Sequence, residues 1–305
     1  MPPASARPVT KHQKQPAPPT KWRDRYGPWA VVTGASSGLG LSFIRRVVRE
    51  LTQREPRLAA FGLGCFMLGG LCLAVAPLDP RLFDGMSVWL KPAKFFASVG
   101  IFALSSAWFF GLVRLERRNS PVMRATVWTV IASGGFELVY ITLQAARGQA
   151  SHFNTAHPVY AALYAAMAVG AVLLIATNLV LAWEIARRPM PDADTVYRVA
   201  VVLGLVLTVL LGGTVGGYMG SQPGHAVGID GAHFPLLGWN REGGDLRVAH
   251  FLGMHIEQVL PLVAYATVAH GRNRRIAFVG TAAAGWAALA VYSLAQAVDG
   301  RPFPW

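Results

Sequence analysis

The chain has 305 residues, of which 53% are hydrophobic and 14% are charged, and its mean hydropathy is +0.38. These values lie on the membrane side of ordinary globular composition. The formal net charge of +13 does not indicate a nucleic-acid partner, because the basic residues lie mostly between apolar runs. Both cysteines, Cys65 and Cys72, fall within one apolar run, so they offer neither a disulfide framework nor a zinc site.

Residues 1–25 are rich in proline, lysine and arginine and contain little that could form a core. This composition predicts a disordered basic tail. Such a tail is either solvated or held against anionic lipid of the inner leaflet. The sequence leaves both alternatives open.

A glycine-rich string follows the tail. The sequence WAVVTGASSGLG places a short β-branched strand before Gly34, Gly38 and Gly40, and a helix-like run from Leu41 to Leu51 comes next. Glycines at a strand-to-helix turn let the backbone approach a pyrophosphate, which then lies at the positive end of the helix. Residues 26–57 therefore predict a truncated Rossmann-like βα fragment, with these three glycines as candidate cofactor-binding residues.

The order T-G-A-S-S-G-x-G, within residues 27–51, resembles the cofactor-binding start of the short-chain dehydrogenase/reductase family. The resemblance implies NAD(P) as cofactor, a complete Rossmann domain and a catalytic Tyr-x-x-x-Lys. The chain departs from that pattern, because no tyrosine is followed by a lysine four residues later and the first apolar run begins 18 residues after Gly40. NAD(P) is therefore suggested by a fragment only, and we expect removal of residues 2–50 to leave the membrane part folded.

Seven apolar runs of about 20 residues follow, and a helix of this length crosses about 30 Å of hydrocarbon. Five of the seven contain no charged residue, which is unusual for buried helices of water-soluble domains. We predict an all-α integral membrane protein with a seven-helix transmembrane domain over residues 58–298 and a C-terminal tail of residues 299–305. The runs are Leu58–Ala76, Phe95–Val113, Ala125–Ala146, Val159–Trp183, Val199–Met219, Phe251–Ala269 and Ile276–Val298.

The distribution of lysine and arginine predicts the orientation of the bundle. If the amino terminus is cytoplasmic, the four inner segments hold 21 of the 28 basic residues. This asymmetry is the one that the positive-inside rule describes, so the carboxyl terminus is predicted to lie outside. Residues 58–305 also resemble bacterial multipass membrane proteins, a resemblance that implies the inner membrane and no particular activity.

Several polar residues lie at the predicted outer side. Lys91 and Lys94 flank Pro92 at the entry to the second run, where they either anchor the helix at the headgroups or line a polar site. His152 and His157 precede the fourth run. These residues are candidates for an outer ligand-binding pocket.

Two further histidines, His250 and His255, lie at the start of the sixth run. Five residues along a helix amount to about 500°, so their rings lie roughly 140° apart and cannot hold one metal ion from a regular helix. Glu257 shares a face with His250, and Gln258 shares a neighbouring face with His255.

Two predicted spans carry carboxylates, Glu137 in the third and Glu257 in the sixth. Both lie roughly 10 to 14 Å from the outer end of their helix, and a carboxylate in hydrocarbon must be neutral, paired or wetted. The nearby polar groups are Gln144, His255 and Gln258. We expect Glu137, His255 and Glu257 to meet in one cluster in the outer half of the bundle.

Such a cluster allows two interpretations. It is either an outward-facing pocket for a proton, a cation, a small ligand or the edge of a haem or quinone, or a set of hydrogen bonds that joins the helices. The functional hypotheses are a polytopic protein that binds or moves a small ligand or ion, a membrane redox or haem-binding protein, and a membrane-tethered oxidoreductase of the short-chain dehydrogenase type. A structural protein without a ligand is the fourth. Enzymatic activity, metal content, cofactor and oligomeric state are left open.

The end of the fifth run and the loop after it carry two further predictions. The string LGGTVGGYMG has glycines at small-x-x-x-small spacing, which predicts close contact with another helix. The segment 221–249 is the longest predicted outer loop, and it has the length to fold over the bundle as a lid.

Overall fold

The computed structural model describes residues 38–83 and 85–304, with side chains from Ser42 onward. The predicted tail, the predicted strand and Gly34 lie outside the described residues. Within them the chain is mostly α-helical, and two short antiparallel strand pairs lie in the loops. The helices are α1 Gly38–Arg54, α2 Pro56–Val75, α3 Leu90–Phe109, α4 Leu115–Arg118, α5 Pro121–Ala146, α6 Pro158–Arg187, α7 Thr195–Thr208, α8 Thr214–Gly220, α9 Leu246–Ala266 and α10 Arg272–Val298. The strands are β1 Leu82–Phe83 with β2 Met86–Ser87, and β3 Ala226–Val227 with β4 Gly244–Asp245.

Six helical stretches in the described part of the chain are long and apolar enough to cross a membrane. They coincide with six of the seven predicted runs, which confirms the prediction of a multispan, all-α membrane protein at this level. The chain is therefore treated below as an integral membrane protein. The stretches are Pro56–Val75, Leu90–Leu112, Pro121–Ala146, Pro158–Arg187, Thr195–Gly220 and Arg272–Val298.

The sixth predicted run, Phe251–Ala269, overlaps α9, and this helix is not among the six stretches. This helix has 21 residues, so it extends about 31 Å at 1.5 Å per residue. It is less apolar than the others because it contains Arg247, two histidines and Glu257. Its apolar residues Ile256 and Leu260 are fully buried, in a cluster that also contains residues of α7 and α10. The face of α9 that carries Ile256 and Leu260 is therefore enclosed by α7 and α10.

Large apolar side chains cover the outer surface of the spans. Met67 is 76% exposed, and Val172 and Leu262 are each 65% exposed. An apolar surface of this kind would drive aggregation in water. In a bilayer the same side chains contact lipid, which agrees with the assignment of the helices as membrane spans.

Capping residues determine where several spans begin. Proline occupies the first turn of α2, α5 and α6, where its missing N–H has no helical acceptor. The Ser120 side chain accepts a hydrogen bond from the Met123 amide at 3.4 Å, and Asp194 accepts one from the Tyr197 amide at 2.7 Å. These side chains satisfy amides that the helix itself leaves without an acceptor.

One end of the bundle is here called the arginine-rich end. It contains the short connections on either side of α4, the connection between α6 and α7, and the connection between α9 and α10. Arg117 pairs with Glu184 at 2.8 Å, which joins the α4 segment to α6. Arg275 pairs with Asp194 at 2.8 Å, which joins α10 to the start of α7. The opposite end, here called the loop end, contains the longer segments 76–89, 147–157 and 221–245.

Helix α1 packs against the bundle at the arginine-rich end. Leu51 is 4% exposed and belongs to the cluster that contains Phe110, and Val47 packs against the same cluster. The structure therefore argues against the expectation that residues 2–50 can be removed without effect. That deletion takes away Val47 and most of the helix that presents Leu51.

Replacement of Leu51 by alanine is expected to lower the free energy of unfolding by about 2 kcal/mol, because a buried side chain is lost and a cavity remains beside Phe110. Thermal unfolding of the purified protein in detergent measures the change. Gln53→Ala alters an exposed residue of the same helix and is expected to have little effect. Equal melting temperatures for the two variants would contradict the packing of α1.

Candidate functional site

A group of buried polar side chains lies inside the bundle and is here called the Glu257 cluster. Its members come from four helices, which are α3, α6, α7 and α9. Glu257 and Asn178 are each 1% exposed, and Thr208 is fully buried. The members are Ser105, Asn178, Thr208, His255, Glu257 and Gln258.

Amide groups donate to both oxygens of the Glu257 carboxyl. Asn178 Nδ2 donates to Oε2 at 2.5 Å, and Gln258 Nε2 donates to Oε1 at 2.9 Å. Gln258 Nε2 also donates to Ser105 Oγ at 3.2 Å, and His255 Nδ1 donates to Gln258 Oε1 at 3.2 Å. These hydrogen bonds connect α9 to α6 through the Glu257 carboxyl and to α3 through the Gln258 amide.

Asn178 Oδ1 lacks a hydrogen-bond partner within the described residues, and Thr208 Oγ1 has only the Glu257 carboxyl beside it. Thr208 lies close enough to Glu257 to interact with its carboxyl group. A buried polar atom without a partner costs about 1–3 kcal/mol, and native proteins satisfy most such atoms with protein groups or ordered water. A proton, a water or a small cation at this position would satisfy them, because all three interact with oxygen acceptors.

Close backbone contact between α7 and α9 brings these groups together. A β-carbon at Gly204 would lie 2.9 Å from Glu257 Cα, and one at Gly253 would lie 2.5 Å from Gly212 N. Between α7 and α8 the chain forms a π-helical turn, Val209–Gly213. Such turns are frequent at functional sites in helices. The prediction of close helix contact by the glycines of this segment agrees with the geometry at Gly212.

His250 lies beside this π-helical turn. Its ring Nδ1 donates to the Gly212 carbonyl at 3.0 Å. The hydrogen bond assigns the proton to Nδ1 and uses a backbone oxygen of the irregular turn as acceptor. His250 therefore connects α9 to the turn, one helical turn and a half before the Glu257 cluster.

Glu137 does not join the Glu257 cluster. It is 7% exposed, and a β-carbon at Gly170 would lie 3.7 Å from its Oε1. Gly170 and Asn178 both lie on α6, eight residues and therefore about 12 Å apart. The expectation that both carboxyls meet in one cluster is not supported by these contacts, because equal distance from a helix end does not determine which neighbouring helix a side chain faces.

The remaining predicted site residues lie at the loop end and have structural partners. Gln144 Nε2 donates to the Ala150 carbonyl at 3.1 Å and so closes the turn after α5. His157 Nδ1 accepts from the Val159 amide at 3.2 Å and caps α6. Lys94 Nζ donates to the Leu237 carbonyl at 3.0 Å. None of these bonds leads to Glu257.

Two positively charged side chains hold the loop that precedes α9 by donating hydrogen bonds to the carbonyls of adjacent residues. Lys94 binds the Leu237 carbonyl, and Arg247 donates to the carbonyl of Gly238. Arg247 also forms an ion pair with the buried Asp245. These contacts tie segment 221–245 to α3 and α9, so it covers part of the loop end as the predicted lid would.

Two histidines at the loop end lie in positively charged surroundings. Burial, together with the positive charges of Lys91 and His225, lowers the pKa of His152 to about 3. Burial and the positive charge of Arg247 lower the pKa of His225 to about 4, with Asp245 acting in the opposite direction. Lys91, predicted as a site residue, therefore acts on both rings through its charge.

His152 is also enclosed by aromatic rings. Its ring centroid lies 5.3 Å from that of Phe95 and 6.1 Å from that of Tyr164. Ser151 Oγ hydrogen-bonds to His152 Nδ1 at 3.1 Å. Packing of the loop onto α3 and α6 thus accounts for the burial of this imidazole.

The two described glycines of the predicted cofactor motif, Gly38 and Gly40, lie in the first turn of α1. Gly34 lies outside the described residues. Sequence reasoning missed Ser105, Asn178 and Thr208 as members of the site. Asn178 carried a signal, because it is the most polar residue of the apolar run Val159–Trp183.

In residues 38–83 and 85–304, no three His, Cys, Asp or Glu side chains are close enough together to hold a metal ion. Comparisons of the chain with protein-family models, with curated proteins and with solved structures found no match. The function must therefore be inferred from the geometry of the site.

Proposed function

We propose that this chain binds and exchanges a proton or a small cation at Glu257 inside a seven-span bundle. The observation that supports this function is a fully enclosed carboxyl group bound by two amide donors, beside the Asn178 Oδ1 atom, which lacks a partner within the described residues. A carboxylate inside a membrane is costly unless it is protonated or its charge is compensated. No ion pair to Glu257 is found among the described residues.

The ligand class follows from the donor set. The cluster presents carboxyl, amide and hydroxyl oxygens, which suit a proton or a hard cation and do not suit soft transition metals. The α3, α6, α7 and α9 helices all contribute, so a change in the charge of Glu257 would act on the contacts of four helices at once. This coupling is the property that an ion-binding transporter needs.

The topology of the proposal has seven spans, with the amino terminus in the cytoplasm of a bacterial cell and the carboxyl terminus outside the inner membrane. The length of α9, about 31 Å, supports its role as the seventh span. The arginine-rich end would then face the cytoplasm, in agreement with the positive-inside rule. We therefore expect a reporter enzyme that works only outside the cytoplasm to be active when it is fused to the carboxyl terminus.

Glu257→Gln is expected to leave the bundle folded and to abolish the titration, because the amide keeps hydrogen-bonding capacity and cannot ionise. Infrared difference spectra of the protein in bilayers, recorded as the pH is changed from about 4 to about 10, detect the carboxylic acid band of the wild type. The same titration with sodium or potassium added shows whether a cation displaces the proton. Glu137→Gln is the matched control, since it removes another buried carboxyl of the spans and is expected to retain the Glu257 signal.

Glu257→Leu separates the functional role from a structural one. It removes the acceptor of Asn178 and Gln258, and we expect it to lower the free energy of unfolding by about 1–3 kcal/mol. If Glu257→Gln instead leaves both the infrared titration and its cation dependence unchanged, the carboxyl group only joins helices and the proposed function is wrong.

A further inference from the structure

Helix α1 has the residue pattern of a helix that lies in a membrane surface. At 100° per residue, Phe43, Val47 and Leu51 form one apolar stripe. Arg45 and Arg49 lie on the opposite side of the helix. An apolar face opposite a basic face is the signature of interfacial helices.

Only the second half of the apolar stripe is covered by the bundle. Leu51 is buried and Val47 is partly buried against the cluster around Phe110. Phe43 and Ile44, one to two turns earlier, are 39% and 47% exposed. The exposed side chains thus continue the apolar face whose other end packs against the bundle.

The attachment of α1 places it at the level where the spans end. Only Glu55 separates α1 from the first span, which begins at Pro56. The Arg54 guanidinium donates to the Trp108 carbonyl at 2.9 Å and lies 3.8 Å above the Trp108 ring, near the end of the second span. Residues that adjoin the end of a span lie among lipid headgroups, so the Arg54 end of α1 is held at that level.

Charge indicates the kind of lipid. Within the described side chains of α1, four arginines stand against one acidic residue, Glu50. The end of the bundle to which α1 is attached is itself rich in arginine. A cluster of basic residues at a membrane surface attracts anionic lipids. Among the side chains of α1 that the structure describes, the exposed apolar area is that of Phe43 and Ile44, which is far less than the roughly 800 Å² per partner of a standard protein interface. A second copy of the chain or another protein is therefore a poorer fit than lipid.

We infer that α1 binds the surface of the bilayer, with Phe43 and Ile44 inserted among acyl chains and Arg45, Arg46 and Arg49 bound to the phosphate groups of anionic phospholipids. In this arrangement α1, which begins within the glycine-rich string, has a role at the membrane. It does not depend on proton or cation binding at Glu257.

Spin labels on the full-length protein in nanodiscs test the orientation of α1. The cysteines Cys65 and Cys72 are both buried in α2, and their replacement by alanine leaves a background for single labels at Ile44 or Gln53. These two positions lie about 180° apart on the helix. We expect the label at Ile44 to collide preferentially with oxygen, which concentrates in hydrocarbon, and the label at Gln53 to collide preferentially with a water-soluble nickel chelate. Unchanged melting temperatures would show that the background remains folded.

Lipid composition tests the chemistry of the partner. The oxygen preference at Ile44 is expected to be stronger in nanodiscs of phosphatidylglycerol than in nanodiscs of phosphatidylcholine. Replacement of Arg45, Arg46 and Arg49 by glutamine is expected to remove this difference, with a loss of about fivefold in anionic-lipid preference for each arginine. A wild-type preference that is equal in the two lipids would overturn the assignment of anionic phospholipid.

Two results of the labelling would overturn the inference as a whole. If the label at Ile44 collides with the nickel chelate as readily as the label at Gln53, the helix stands away from the bilayer. If the label at Ile44 is shielded from both reagents, a protein surface covers this face and lipid does not.

Discussion

Replacement of Gly253 by alanine is expected to lower the yield of folded protein strongly, with a loss of about 3 kcal/mol in the free energy of unfolding. A β-carbon at this position would lie 2.5 Å from Gly212 N and 2.7 Å from Gly212 Cα. These atoms belong to the backbone of the π-helical turn, so no side-chain rotation can relieve the contact. The helices α7 and α9 would have to separate, which would also disturb Gly204 and the Glu257 cluster.

The yield of monodisperse protein and its thermal unfolding in detergent measure this effect. Gly217→Ala is the matched control, because no atom lies within 4 Å of a β-carbon built there and alanine favours the helix more than glycine does. A Gly253→Ala variant with the yield and melting temperature of the control would contradict the close contact between the two helices.

Acidification from about pH 7 to about pH 5 is expected to destabilise the protein by up to about 4 kcal/mol through His152 and His225. The pKa values of these histidines are lowered to about 3 and about 4 in the folded protein, whereas an unfolded histidine has a pKa of about 6.5. The unfolded state therefore binds more protons than the folded state throughout the window from about pH 6.5 to about pH 4. Stability that is present above this window is lost as the pH falls, by about 2 kcal/mol for each histidine at pH 5.

Burial determines the sign of this effect, and the charged groups around the two histidines modify its size. Lys91 and Arg247 disfavour a further positive charge, and Asp245 and Asp230 only partly offset them at His225. The double variant His152→Gln and His225→Gln is expected to lose this part of the acid sensitivity. Thermal unfolding of both proteins at about pH 7 and about pH 5 measures the difference. Equal acid sensitivity in the wild type and the double variant would show that other groups cause it.

Part of the candidate site could be predicted from the sequence. His255 and Gln258 lie three residues apart on one helix, so their contact follows from helical geometry. Asn178 lies 79 residues from Glu257 along the chain, and Ser105 lies 153 residues from Gln258. No local pattern in the sequence specifies which of these helices meet. The assignment of Glu137 to the same cluster was not supported for the same reason.

The sequence by itself determined that the chain crosses a membrane repeatedly as α-helices. The length of an uncharged apolar run is set by the thickness of hydrocarbon, and backbone groups in lipid must be paired within the helix. Runs such as Leu58–Ala76 therefore indicate a span without knowledge of any neighbour. The capping prolines at Pro56, Pro121 and Pro158 act through equally local chemistry.

Only the tertiary structure decided which polar groups share one interior. Contacts between helices depend on the rotation and spacing of each helix, which small residues such as Gly204, Gly212 and Gly253 set at a few points along α7 and α9. The same holds for α1, whose Leu51 packs against the transmembrane bundle. Local sequence specifies a helix and its apolar face, and the packing of distant helices determines what that face contacts, because the partners of a buried side chain are set by all the helices around it.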